Sequence, residues 1–581
     1  MGAFYLVRRD NDNMELFSAR CEALSKQMAL QGFDTPKKLQ GRYFDVFVYP
    51  KQNHPGENYI EYEGGDFCAC VGTLIYQGQS GASALDCYFR DFRPEAPPGE
   101  TLYGAFCLIV QKNGKLFLLS DRLGVYKVYH GPQAAVWSSS FLGVAGTLQN
   151  PRINPQAVYE FVFQGATYGN ETVFRDVQLL DCDAVYRLDR EVQPVARGGR
   201  LRAPQLSRAS MAGLLEENLS ALGSLYQGIA GCFGDAVDTA LSGGYDSRLT
   251  LALLKAQGLS PSVHVYGKST DIDVRVAREV DRGEGLGLEH VDKSTFPRVP
   301  EEAFSEIVET NHYVFDGCPT DGIFNNGSDL ETRRQRCATG TLMLNGGGGE
   351  VFRNFYYLPD KRYSVRQLLW TFYSQFDPGV TTAAFDEEAY YRRLEKKILD
   401  VLGTEDVMLS RTEVELVYPL FRCRYWMGKN NSVNNRLGYA LTPFIDYEIV
   451  KRAIRIPLKY KNHGRFEAAL IQAVSPALAA YASAYGHNFS GPPGLRHRLS
   501  DQLTLRRPTR LRRYLYRIKA RRLTGERPYP LDKAYLETVM DAQFPYLGEL
   551  FRVQANRDNA QYNRMCTLEY LFQKTSAQLP G

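Results

Sequence analysis

No stretch of the 581-residue chain approaches the roughly eighteen consecutive apolar residues of a membrane-spanning helix. The opening Met1-Gly2-Ala3-Phe4-Tyr5-Leu6-Val7-Arg8-Arg9 holds too short an apolar run for a signal peptide. Cysteine is sparse and unpatterned: there are 11, an odd number, with no CxxC pair. Cys68-Ala69-Cys70 is the closest spacing and reads as part of a strand. That usage fits a reduced, cytoplasmic protein better than a disulfide scaffold or a zinc site. The 8 histidines show no HExxH or other ligand spacing. Charge of one sign is lacking too: 69 Lys and Arg against 65 Asp and Glu leave +4, too little to imply a polyanion partner. No GxxxxGK[ST] phosphate loop occurs.

What the chain does have is an ordinary globular composition, 44% apolar, 12% aromatic and 23% charged, with length for two or more domains. Its informative stretch is Ala236-Val237-Asp238-Thr239-Ala240-Leu241, then Ser242-Gly243-Gly244-Tyr245-Asp246-Ser247, then Arg248 to Leu254. The first part alternates like a strand, and the last is rich in helix formers and stops at Gly258. A strand, a glycine-rich turn and a helix start place free backbone N–H groups and the positive end of a helix dipole on one spot. Ser242 and Ser247 add hydroxyls, whereas the Asp246 carboxylate repels phosphate unless a cation lies between. The combination points to Mg²⁺ with a di- or triphosphate.

A second strand-to-turn passage, Leu342-Met343-Leu344-Asn345-Gly346-Gly347-Gly348-Gly349-Glu350-Val351-Phe352-Arg353, ends in a carboxylate and an arginine. Between the two lie a strand at Ser262–Gly267, a helix over Asp271–Leu286 and a short strand at Leu288–Val291. This βαβαβ succession predicts a doubly wound parallel sheet binding its ligand at the strands' carboxyl ends. His264 reads as a core residue of its strand. Residues 1 to 190 read instead as β-rich, in short runs punctuated by glycine, proline and charge. Leu102–Val110 turns at Lys112-Asn113-Gly114-Lys115 into Leu116–Ser120, and Asn154 and Pro155 open a helix. Arginine, glycine, proline and glutamine over 191–209 read as a linker, and Leu214, Leu215, Leu219, Leu222 and Leu225 place a helix after it.

The string LSGGYDS resembles the pyrophosphate-binding loop of the N-type ATP pyrophosphatases, and most of all that of the asparagine synthetases. The passages LFLLSDRLGVYKVY, SSSFLGVAG and ETVFRDVQLLDCDAVYRL resemble the same family's glutaminase domain. The resemblance implies an α/β protein of two domains. Residues 1–190 would be a class II glutamine amidotransferase-like, Ntn-hydrolase-type αββα domain, and 210–581 an ATP pyrophosphatase-type synthetase domain. It implies ATP and Mg²⁺ as cofactors, and nucleotide binding by Leu241, Ser242, Gly243, Gly244, Tyr245, Asp246 and Ser247, with Tyr266, Gly267, Gly347 and Gly348. Asp246 and Glu350 would serve the metal and, with Arg353, the reacting centre. The expected partners are a small-molecule, glycan or peptide carboxylate and an amine or ammonia, with no nucleic acid.

Three departures qualify the likeness. The family's nucleophilic cysteine follows the initiator methionine; here that position is Gly2 and the first cysteine is Cys21. A domain without glutaminase activity is expected. The family's second acidic residue beside Glu350 is a glycine here. The loop that carries its lysine corresponds to Ser483–Phe489, which has none, so His487 or a nearby arginine would supply the cation. The alternative to a ligase is a degenerate nucleotide-binding scaffold.

Asp316 and Asp321 read as solvated turn formers, with substrate contact as the second option, and Asp446 as the cap of the helix from Tyr447. The arginine run from Arg496 to Arg522 reads as a solvated helix face, with an acidic substrate or peripheral contact with an anionic membrane as functional alternatives. Asn556 to Phe572 reads as a closing helix.

Overall fold

The computed structural model describes residues 1–9, 13–54, 56, 58–96, 102–197 and 200–579 of a mixed α/β chain. Two six-stranded antiparallel sheets occupy its first part. One is centred on Ala3–Arg8 and Phe44–Tyr49, the other on Phe67–Tyr76, Leu102–Lys112 and Lys115–Ser120. Alternation along each strand decides the layering. Phe4, Leu6, Val46 and Val48 of the first sheet meet Ala69, Val71, Ile109 and Leu118 of the second between the sheets. The opposite sets face outward, Tyr5 and Val7 towards the Met14–Leu30 helix and Cys68 and Cys70 towards the Gly81–Asp91 helix. The order of layers is helix, sheet, sheet, helix.

The Asn113-Gly114 turn adopts the positive φ values, 53° and 69°, that a tight hairpin requires. Two expectations need correction here. Val192–Arg197 is not linker but an edge strand paired with Ala184–Leu188, where Pro194 is tolerated because an edge leaves N–H positions unpaired. Gly198-Gly199 of that expected linker lies outside the described residues. Asn154 precedes the Pro155–Gln164 helix but does not cap it by its side chain, which donates to Glu171 Oε2 at 3.4 Å.

The Met211–Phe233 helix leads into the second part. Here five parallel strands lie in the order Glu289–Val291, Ser262–Tyr266, Val237–Ala240, Leu342–Leu344, Tyr439–Leu441. In sequence terms the order is third, second, first, fourth, fifth. Succession therefore reverses between Val237–Ala240 and Leu342–Leu344, which opens a crevice at their carboxyl ends. Helices Tyr245–Ala256 and Ile272–Glu284 cover one face, setting Leu251, Val274, Ala277 and Val280 against Val263 and Val265. Helices Ser328–Arg336 and Gly428–Leu437 cover the other through Leu330, Val433 and Leu437 against Met343 and Ala440. His264 is buried and paired with Asp238 Oδ1 at 3.2 Å.

The two parts share an apolar core, in which Phe163 stacks on Phe376 and Tyr168 on Phe421 at 4.0 and 4.1 Å, and polar groups join them as well, several of these around Gly428–Leu437. Lys51 Nζ donates to the carbonyls of Asn435 and Gly438 at 2.8 and 2.9 Å, and Thr73 Oγ1 to Asn435 Oδ1 at 2.6 Å. Asp316 is the centre of this junction and not the solvated turn former expected from sequence. Its carboxylate accepts from Ser140 Oγ and the amides of Phe141 and Leu142 at 2.7, 2.7 and 3.0 Å, capping the Phe141–Ala145 helix from outside. Arg436 Nη2 donates to it at 2.8 Å. Burial alone would raise this carboxyl; Arg436 and Ser140 outweigh burial and hold it below the ordinary range. Asp446 caps the Tyr447–Ala453 helix through Glu448 N at 3.0 Å and also accepts from Gly104 N at 3.1 Å.

Asp316→Ala, which leaves Arg436 buried without its partner, is expected to cost about 3–5 kcal/mol in denaturant unfolding. Burial pushes Asp446 up to about 7. Its folded pKa lies above its unfolded one, so its contribution to stability is full at acid pH and is lost as pH rises towards 7. Asp446→Asn keeps the cap and removes the titration. Between pH 5 and pH 8 the wild type is expected to lose roughly 2 kcal/mol more than this variant, read from paired urea melts.

Candidate functional site

The Val237–Ala240 strand ends in the Ser242–Ser247 turn, and the helix that follows begins at Tyr245. Ser242 N donates to Ser247 Oγ at 3.0 Å, the two hydroxyls lie 3.0 Å apart, and Gly244 N donates to Ser242 Oγ at 3.3 Å. The serines therefore shape the turn as well as lining it. Gly243 must be glycine, because a Cβ there would stand 2.6 Å from that of Ala484. Its amide donates to Asp273 Oδ1 at 2.8 Å. Leu241 is buried in the core on the sheet's helical face, and the Tyr245 ring stacks on Phe489 at 4.1 Å.

Across the crevice, the Leu342–Leu344 strand runs into Asn345 and the four glycines. Close approach explains the glycines. A Cβ on Gly346 would lie 3.2 Å from Ser247 Cα, one on Gly348 2.5 Å from the Ile445 side chain, and one on Gly349 2.6 Å from Glu467 and 2.7 Å from Asp246. Gly347 N donates to Asn345 Oδ1 at 2.8 Å. The short helix Gly349–Phe352 then sets Glu350 and Arg353 against Asp246.

Arg353 is the cation of the cluster. Its Nη2 lies 2.6 Å from Asp246 Oδ1 and 3.4 Å from Glu350 Oε1, and its Nε lies 2.8 Å from Glu467 Oε2. Tyr418, on a π-helical stretch over Tyr418–Met427, donates its hydroxyl to Glu350 Oε2 at 2.5 Å. One guanidinium thus faces three carboxyl groups, and the shortfall of positive charge separates their acidities. Burial, reinforced by Glu350, pushes Asp246 up to about 7 against the pull of Arg353. Burial and the neighbouring Asp246 push Glu467 well above the carboxylate range. Burial acts on Glu350 too, but Arg353 and Tyr418 outweigh it and keep that group ionised.

Beside the cluster opens a cleft of 210 Å³ lined by Tyr245, Glu350, Arg353, Tyr357, His497 and Asp501, among others. Lys461 also borders it, but its Nζ is engaged by Glu415 at 3.1 Å. The chain segment Ser483–Phe489 folds over the turn, with Ala484 N donating to the Gly243 carbonyl at 2.9 Å. Burial, with His497 nearby, lowers the pKa of His487, and its Nε2 lies 3.1 Å from the Tyr245 hydroxyl. The arginine within the carboxylate cluster is Arg353.

The structure therefore gathers Ser242, Gly243, Gly244, Tyr245, Asp246, Ser247, Gly347, Gly348, Glu350 and Arg353 about one crevice. Tyr266 and Gly267 lie at the end of the neighbouring strand, where the Tyr266 ring packs under Arg336 at 4.2 Å and Lys293 at 4.9 Å. Asp316 is engaged instead by Ser140 and Arg436 at the junction. Sequence reasoning missed Glu467, Tyr418 and Asp273. Asp273 had a local signal, a carboxylate in the first turn of the helix after the second strand. Glu467 and Tyr418 had none, since each sits in an unremarkable helical stretch.

No family model and no curated protein matches the sequence. Among solved structures, the chain is similar to one described as "the allosteric regulatory enzyme of purine biosynthesis". That similarity has 10% identity and a TM-score of 0.21, over 72% of this chain and 91% of that one, and at this level it carries no argument.

Two substitutions separate the roles in the cluster. Arg353→Met, which strands the carboxylates, is expected to destabilise the fold by about 3 kcal/mol or more at pH 7.5. Glu467→Gln, a neutral isostere of a carboxyl whose charged form burial disfavours, is expected to change stability by less than about 1 kcal/mol. Urea titration of both variants against wild type measures the difference.

Proposed function

We propose that this chain is an asparagine synthase-like, AMP-forming ligase that joins a carboxylate to ammonia or an amine. One observation carries the reading: two glycine-rich turns meet where the strand order reverses, with Asp246 on one and Glu350 and Arg353 on the other. That arrangement suits a nucleotide polyphosphate, whose oxygens need backbone donors on one side and neutralisation on the other. In this reading the parallel-sheet part is the ATP pyrophosphatase-type domain. The four-layered part is a glutamine amidotransferase-like domain without its nucleophile. A Cβ at Gly2 would lie 2.9 Å from the Arg436 carbonyl and 3.0 Å from Lys51 Cα, so the site that would hold a catalytic side chain is filled by backbone.

The donor set fits Mg²⁺ brought in by the nucleotide. Among the described residues no group of three or more His, Cys, Asp or Glu is arranged to hold a metal unaided. Two carboxylates plus phosphate oxygens, however, are the ordinary complement for this ion. Asp246 and Glu350 would hold it, in a cluster where three carboxyl groups face the one guanidinium of Arg353. When bound, the ion neutralises the pyrophosphate charge that develops as the phosphoanhydride breaks. The protein's own groups do the positioning. The amides that open the Tyr245–Ala256 helix, with the Ser242 and Ser247 hydroxyls, would hold the β,γ-phosphates, and Arg353 would draw the substrate carboxylate towards the α-phosphorus. A carboxylate oxygen attacks that phosphorus, the bond to the β-phosphate oxygen breaks, and pyrophosphate leaves. The amine then attacks the acyl carbon of the adenylate, loses a proton and expels AMP.

The test is ATP–pyrophosphate exchange over a panel of amino acids, sugar acids and peptides. Exchange that depends on one carboxylate and falls by about 10²-fold or more in Asp246→Ala is expected. Ammonium or an amine should then complete the product, and glutamine should not replace it. ATP binding without exchange for any acid would replace the ligase with a nucleotide-binding scaffold.

A further inference from the structure

The arginine-rich segment is two helices, Leu495–Arg506 and Thr509–Arg521, and they face water with the wrong chemistry for a solvated surface. At 100° per residue, Leu495, Leu499 and Leu503 fall on one arc of the first helix, opposite His497, Asp501 and Thr504. That opposite face is the packed one: Asp501 is buried, with His463 at 2.9 Å and His497 at 3.5 Å. The leucines are 75%, 65% and 70% exposed, the three most exposed large apolar side chains among the described residues. On the second helix, Arg512 turns inward to the Tyr356 and Tyr357 carbonyls, while Leu511, Tyr514 and Leu515 turn outward.

Around this apolar strip lies a one-signed fringe. Arg496, Arg498, Arg506, Arg507, Arg510, Lys519 and Arg522 are all exposed. None of the seven makes an ion pair with the described residues, whereas Arg513 and Arg517 are engaged by Glu387 and Arg521 by Asp377. Asp501 is the only acid between Leu495 and Arg522, and it is buried in the packed face. Exposed leucines ringed by unpaired cations match an interface that is apolar below and anionic above. An acidic solute alone would leave the leucines in water, and a neutral apolar partner would leave the cations unmatched.

We propose that the Leu495–Arg522 helical pair docks this protein on an anionic lipid surface, the leucines entering the headgroup boundary and the arginines meeting lipid phosphates. The helix Leu495–Arg506 carries the docking face on one side and cleft-lining His497 and Asp501 on the other. Docking therefore places the cleft beside the membrane without using any residue assigned to phosphate or carboxylate chemistry, and it stands whether or not the ligase reading does.

Flotation of the full-length protein with vesicles of neutral phosphatidylcholine, and with 30% phosphatidylglycerol added, tests it. Wild type is expected to float with the anionic vesicles and not with the neutral ones. Leu499→Ser with Leu503→Ser should weaken binding tenfold or more, and Arg506→Gln with Arg507→Gln should weaken it and flatten its salt dependence. Circular dichroism melts of both variants within 2 °C of wild type establish that they fold. Absence of flotation at 50 mM salt overturns the proposal, as does equal binding to neutral vesicles. Unchanged flotation of the leucine variant overturns the insertion. A dimer in light scattering that the leucine substitutions disperse, with no vesicle binding, assigns the strip to a second copy of this chain instead.

Discussion

A single guanidinium holds the candidate site in shape. Arg353 faces Asp246, Glu350 and Glu467, which enter from three separate parts of the chain, and each would repel the others without it. Placing one cation among three carboxyl groups spreads their acidities, with Glu467 and Asp246 pushed up and Glu350 pulled down. The cluster is thus neither a neutral core network nor a finished salt-bridge array. It is a buried group of acids that outnumber their cation beside the start of a helix, a setting that suits a cation–polyphosphate pair better than either ion alone.

The rest of the second part serves to keep that region tight. The strand order brings both turns to one crevice, and the glycines of the second turn let its backbone come within van der Waals reach of Ser247 and Asp246. Helix Arg465–Val474 supplies Glu467 from beneath and packs along Tyr245–Ala256. The antiparallel part holds this half from the side: its Thr73 bonds both Asn435 of the Gly428–Leu437 helix and Ala440 of the fifth parallel strand.

Legibility in the sequence followed locality. The strand, turn and helix around Ser242–Ser247 were readable because propensity, glycine placement and periodicity agree within twenty or so residues. The Asn113-Gly114 hairpin was readable for the same reason. The Val192–Arg197 strand was not, since an edge position accepts the arginine and proline that mark a linker elsewhere. Asp316 misled in another way. Its sequence context, between phenylalanine and glycine, describes a turn, and its φ of 57° is indeed a turn conformation. What buries it is a set of partners from distant segments, Ser140 and Arg436, that no local pattern announces. Glu467 and Tyr418 escaped notice likewise, each being defined only by the fold that brings it to Arg353 or Glu350.

The junction also has a temporal side. Lys51 finds Asn435 across 384 residues, and Thr73 finds it across 362. During synthesis both antiparallel sheets can be complete long before the Gly428–Leu437 helix leaves the ribosome. The contacts that Asn435 and Arg436 make with the first part therefore cannot form until nearly three quarters of the chain has been synthesised, so the surface that receives them is exposed on the growing chain for most of translation.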